Sequence, residues 1–261
     1  MNAAIAFDYL IAMLLVFTRA SVFFAVAPPF AGRNFNVRSR TALAFAIAVA
    51  VSPLVQPAIT QRYWTELGPF IGAVGFQVFA GATLGFIVQL LFAAFQAAGN
   101  YIDMTGGFAM ASMFDPVSNT NSSVVGRITN LIATALLFTS GGHLIMVRGL
   151  LGSFDIEMTR APDLGSLAKA LIHDFGVMIG SALQIAAPVL AVLFLADLAL
   201  GLVSRAVPSM NVFQLSFPVK LILTLTLCSV FILVLPGAVA EMVDMAVRQF
   251  PAFIDMVGGG A

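Results

Sequence analysis

Charge is what this 261-residue sequence has least of. It holds 12 Lys/Arg and 12 Asp/Glu, together 9% of its residues, against about 25% in a soluble globular chain. So few ionised groups cannot cover a water-facing surface, and an ordinary soluble domain is excluded. The two signs cancel to a formal net charge of +0, so no global field draws in nucleic acid or an acidic surface. The single cysteine, Cys228, cannot form an intrachain disulfide and says nothing about redox compartment. His143 and His173 are the two histidines; with one thiol they make no metal-ligand set of plausible spacing. No His-Glu-x-x-His, phosphate loop or nucleophile elbow occurs. The expectation is a protein without catalytic centre, metal or cofactor.

What is abundant is apolar: 60% hydrophobic residues, a mean hydropathy of +1.01 and 24 phenylalanines. About twenty apolar residues in helix cross a hydrocarbon core of roughly 30 Å. Six runs meet that length, at about 9–31, 41–59, 70–98, 124–147, 171–204 and 212–240. None sustains the alternation of a membrane-barrel strand. Ala42, Ala44, Ala46, Ala48 and Ala50 do alternate with larger residues. Those neighbours are also apolar, however, and an isolated strand would leave its backbone unpaired in lipid, so a helix is expected. Runs three and five are too long for one upright crossing, and Pro188 lies in the fifth; such helices tilt or kink. Residues 1–27 end in Ala25-Val26-Ala27, yet Asp8 stands where a signal peptide is positive and Pro28 would follow the cut. An uncleaved first helix is expected. Arg33, Arg38 and Arg40 cluster in one loop and Arg148, Arg160 and Lys169 in another. Simple alternation puts the clusters on opposite sides, so no orientation follows.

Ionisable residues inside apolar runs need partners. Arg19 lies in the first run, Asp174 and Asp197 in the fifth. A structural Arg–Asp pair is favoured over a proton path, which needs several acids along its length. His143 after Ser140-Gly141-Gly142 reads as an interfacial residue rather than a ligand. Gly68/Gly72, Gly81/Gly85 and Gly176/Gly180 are small-residue pairs at helical spacing that let backbones approach, either within this chain or against other subunits.

Two stretches break the helical pattern. Residues 99–123 pass Asp103 and then Gly106, Gly107, Phe108, Met110, Met113, Phe114, Asp115 and Pro116 before a polar tail ending at Ser123. Glycines and Asp-Pro interrupt helix, while Met and Phe make the interior of the stretch apolar and adaptable. It reads as a plug that can seal a conduit, or as a re-entrant packed segment. Between runs five and six, Arg205 closes one helix, Pro208 stops it, Asn211 can cap the next, and Lys220 follows about two turns on. Runs five and six thus read as a hairpin with a short basic tip.

Four stretches carry a resemblance. They are Arg19 through Pro28-Pro29 to Val37-Arg38-Ser39-Arg40; Ala98-Gly99 through Gly107-Phe108 to Phe114-Asp115-Pro116; Gly142-His143 to Ser153-Phe154; and Gly201 through Arg205, Pro208, Asn211 and Phe213 to Phe217-Pro218-Val219-Lys220. In this order they resemble the FliR family of flagellar export-gate proteins and its counterparts in virulence type III secretion systems, over nearly the whole chain. The resemblance implies an all-α integral membrane protein of about six long, tilted or kinked helices with a Gly/Met-rich plug loop. It implies a FliP-like portion at 1–170, with the plug at about 106–116, and a FliQ-like hairpin with a C-terminal segment at 171–261. It also implies a non-enzymatic subunit that forms and seals the entrance of a secretion channel for unfolded substrates. Its partners would be FliP-, FliQ- and FlhB-type subunits in the bacterial inner membrane, at the flagellar basal body or the base of a type III system. Arg19 and Asp197 would pair within protein. The alternative is a self-contained secondary transporter or channel, with Arg19, Asp174 and Asp197 along a pathway. Matched halves are expected of such a transporter, and no repeat relates runs one to three with four to six.

Overall fold

The computed structural model describes residues 3–32, 35–55, 66–108, 123–155, 164–207, 209 and 212–257. Among them the regular structure is all helical: α1 (Ala3–Val26), α2 (Pro28–Ala31), α3 (Val37–Val55), α4 (Leu67–Gly106), α5 (Val124–Thr139), α6 (Gly142–Gly152), a 3₁₀ turn (Ser153–Asp155), α7 (Leu164–Ala206) and α8 (Val212–Val257). Five helices are long and apolar enough to cross a membrane, or up to six if α5 and α6 count as one broken span. This is the expected all-α integral membrane protein.

Local chemistry explains most boundaries. The first run breaks at Ala27, whose backbone is extended, and Pro28 opens α2 at a position where its missing N–H is no loss. In α3 the alternating alanines resolve into a helical stripe: Ala44, Ile47, Ala48, Val51, Ser52 and Val55 are buried. Two expected boundaries are corrected. The third run does not stop near Gly99-Asn100 but continues as helix to Gly106. A mid-helix glycine costs only about 1 kcal/mol, and at Gly99 the neighbouring helix leaves no room for a side chain. The fourth run is not one helix. Ser140 ends α5, and Gly141, at φ +75°, turns the chain into α6. That left-handed conformation suits glycine because a Cβ would crowd the backbone. At 40, 43 and 46 residues, α4, α7 and α8 are each about twice the length a bilayer core requires.

Backbone contacts divide the chain into two units, each with its own core. The first comprises Met1–Leu90, Gly141–Asp174 and Val243–Ala261, and the second Leu91–Ser140 and Phe175–Met242. In the first unit α1 packs along α3, and Gly81 and Gly85 of α4 abut α1. A Cβ at Gly81 would lie 2.5 Å from the Arg19 carbonyl oxygen, and one at Gly85 would lie 2.8 Å from Val26 Cβ. Phe24, Phe30 and Phe35 form an edge-to-face series, with centroids 5.0 and 5.9 Å apart, where α1 turns into α2. Gly149 of α6 lies under the Phe250 ring of α8.

In the second unit α4 and α5 cross at Gly99 and Gly126, whose backbones touch. The long helices are covered sparsely there. Ala182, Ala186, Val189 and Leu193 make one buried stripe on α7, and Phe231, Leu235 and Val239 make another on α8. Phe194, Leu195, Leu198, Leu202, Ile222 and Leu233 remain exposed.

Candidate functional site

Three clusters gather the residues singled out above. The first is the root of the 106–116 segment, in the second unit. Helix α4 ends at Gly106, and Gly107 adopts φ +88°, the left-handed conformation that closes many helices and that glycine alone takes without strain. Gly106 sits against Thr224 of α8, where an added Cβ would meet Thr224 Oγ1 at 2.5 Å. The Thr224 hydroxyl donates to Lys220 O at 2.7 Å and reaches Gly106 O at 3.4 Å. The Phe217 ring lies beside Gly107, and Phe108 is half-buried. Met110, Met113, Phe114, Asp115 and Pro116 lie outside the described residues.

At the far side of that segment, Ser123 caps α5. Its hydroxyl accepts from the Gly126 amide at 2.7 Å and donates to the Asp103 carboxylate. Asp103, one turn before the end of α4 and buried, also accepts from the Val125 amide at 3.1 Å. Residues 20 apart in sequence are thereby tied together. The sequence carried a signal for Ser123, since a serine directly before an apolar helical run is a preferred cap. It carried none for Asp103, whose role depends on where α5 begins in space.

The second cluster surrounds Arg19, fully buried in the first unit. Nε donates to Gln77 Oε1 at 2.7 Å, and Nη1 donates to the Ser153 carbonyl and to Ser153 Oγ at 3.1 Å. The guanidinium also stands 4.7 Å from the Phe154 ring centroid and 5.9 Å from that of Phe76. The expected pairing with Asp197 is corrected: Arg19 is held by neutral acceptors and aromatic faces. A planar group with five donors can divide its hydrogen bonds among several such partners, here through Nε and Nη1, which a search for one carboxylate in the sequence does not reveal. Asp174 accepts from Gln249 Nε2 at 3.2 Å, so each acid of the supposed pathway has a local partner of its own.

The third cluster is the hairpin tip. Asp197, half-exposed, forms an ion pair with Lys220, which joins α7 to α8. Arg205 lies exposed in the last turn of α7. Pro208 and Asn211 lie outside the described residues, although α7 does end at Ala206 and α8 does begin at Val212. Among the described residues no group of three or more His, Cys, Asp or Glu could hold a metal ion.

The chain is 32% identical to the flagellar biosynthetic protein FliR of Bacillus subtilis, over 99% of each chain. It is 30% identical to the protein of that name from Escherichia coli, over 80% of this chain and 79% of that one. The Yop proteins translocation protein T of Yersinia pestis is 28% identical over 67% of this chain and 69% of its own. The family model described as bacterial export proteins, family 1, matches residues 10–246. Its helices, their order and these matches together make the chain a member of that bacterial export family.

Proposed function

We propose that this chain forms and seals the entrance of a protein-export channel. Family membership and the flagellar and translocation relatives make it a membrane component of a flagellar or type III export apparatus, working in an assembly with other export subunits. The finer reading takes residues 106–116 as the seal. One observation carries it: α4 is closed by a left-handed Gly107 immediately before an apolar stretch holding Phe108, Met110, Met113 and Phe114.

A hydrophobic constriction shuts a pore by expelling water, which stops ions without any charged barrier. Flexible thioethers and rings can then be displaced by an incoming unfolded polypeptide and close again behind it. In this reading residues 1–170 form a FliP-like portion and 171–261 a FliQ-like hairpin. The sparsely covered faces of α7 and α8, with Arg205, Pro208, Asn211 and Lys220 at their tip, meet FliP-, FliQ- and FlhB-type subunits in the bacterial inner membrane. The chain itself performs no chemistry on its cargo.

The test is deletion of residues 107–114 in the assembled complex, with ion leak measured across vesicles or a planar bilayer. A seal predicts normal assembly and a large rise in ion conductance. An assembled complex as tight as the parent would end the proposal.

A further inference from the structure

We infer that Asp103 is the positioning residue of the gate segment: its carboxylate clasps the end of α4 to the first turn of α5 and so sets where the segment between them leaves and returns. The inference rests on the gate reading above, and its chemistry comes from the described residues of the second unit alone.

The first turn of a helix carries amide N–H groups with no partner in the helix itself. In α5 two of them are satisfied in different ways. Ser123, the residue before the helix, accepts from the Gly126 amide at 2.7 Å through its own hydroxyl. The Val125 amide goes instead to Asp103, on another helix, at 3.1 Å. The same Ser123 hydroxyl uses its hydrogen to donate to Asp103. One serine oxygen therefore accepts from its own helix and donates to the neighbouring one, and the aspartate gathers the two donors that result. A carboxylate is suited to this because it is acceptor-only and its charge is favourable at a helix N-terminus.

The surroundings make the clasp more than a cap. Gly99, one turn before Asp103, touches the backbone of Gly126, so the two helices meet with no side chain between them. A Cβ at Gly126 would stand 2.5 Å from Asn100 Oδ1 and 2.6 Å from Ser123 Oγ. The end of α4 is also keyed to α8, through Gly106 beneath Thr224. The chain thus departs at Gly107 from a helix end held by two neighbouring helices and re-enters at Ser123, bonded to that same helix end. Fixing both ends of a loop removes much of its conformational freedom. A seal has to close at one place after each passage, and a fixed root at Gly106 and Ser123 serves that requirement.

The experiment uses the assembled export complex with four forms of this chain: Asp103→Ala, Asp103→Asn, Ser123→Ala and the deletion of 107–114. Ion leak is measured across vesicles, and backbone hydrogen exchange is followed in the peptide covering residues 123–130. Asn keeps an acceptor at the position and caps helices well, so Asp103→Asn is expected within about twofold of the parent in both measurements. Asp103→Ala is expected to raise exchange in that peptide about tenfold and to raise ion leak at least fivefold with normal assembly, with Ser123→Ala between the two. A leaky deletion beside a tight Asp103→Ala complex overturns the clasp and leaves the gate reading standing. A tight deletion sinks the gate reading itself. Should Asp103→Ala fail to assemble, Ser123→Ala decides: raised leak and raised exchange together support the clasp, and parental values of both overturn it.

Discussion

Helices α4 and α7 have nearly the same length and the same apolar character, yet the chain treats them differently. In its most apolar window α4 is 67% buried by the rest of the chain, while α7 is 17% buried and α8 22%. Composition does not explain the difference. Small residues placed against a neighbour do: Gly81 and Gly85 let α4 lie against α1, and Gly99 lets it lie against α5. Gly176 and Gly180 on α7 have the same spacing, but a side chain added at either would meet nothing within 4 Å. The same glycine spacing therefore serves internal packing at Gly81/Gly85. At Gly176/Gly180 of α7, as at Gly68/Gly72 near the start of α4, it remains open to lipid or to a neighbouring subunit. A helix enclosed by its own chain is part of the fold, whereas an apolar helix left bare marks a surface made for other molecules.

Substitutions can break or sharpen this contrast. The largest expected effect is at Arg19. Its replacement by Ala leaves Gln77 and the Ser153 carbonyl buried without their donor, at about 3 kcal/mol or more, read as a fall in thermal unfolding midpoint in detergent. Arg19→Lys should recover only part of that loss, because one ammonium cannot reproduce the guanidinium's separate bonds to Gln77 and Ser153. A midpoint unchanged in Arg19→Ala would remove the enclosed site from the account. Next is Gly81→Ala. Its Cβ meets backbone at Arg19 rather than a movable side-chain end, so a cost of about 1–3 kcal/mol is expected.

Asp197→Asn is milder. The acid is half-exposed, and exposed ion pairs are worth about 0–1 kcal/mol; loss of export with normal assembly would instead revive a proton-relay role. The smallest effect on the isolated chain is Gly180→Ala, neutral or stabilising by up to about 1 kcal/mol through helix propensity. If α7 docks on partners, the same change lowers the yield of assembled complex. A substantial loss of stability in the isolated chain would show that Gly180 is packed internally after all.

Much of this was legible beforehand, and the reasons are physical. The six runs announced membrane helices because hydrocarbon admits only backbone that is paired within itself. The break at Gly106–Gly107 and the stop before Val212 were readable because glycine and proline act through their own backbone restrictions, whatever surrounds them. Arg19 was recognisable as a buried charge needing partners, but Gln77 and Ser153, at separations of 58 and 134 residues, were not. Asp103 was passed over for the same reason: an aspartate near a helix end has no marked role until another helix starts beside it. The division of labour among the glycines was equally hidden, since Gly81 and Gly180 occupy similar local patterns.

By itself, then, the order of residues determined the class of environment, the kind of elements, and the helix breaks at Gly106–Gly107 and before Val212, since each depends on hydrophobicity or on one residue's allowed backbone angles. Only the tertiary structure decided which glycine meets a neighbour, which acceptors hold the Arg19 guanidinium, and that Asp103 caps a helix other than its own. Those outcomes depend on distances between remote segments, and such distances are settled when close-packed surfaces choose one another.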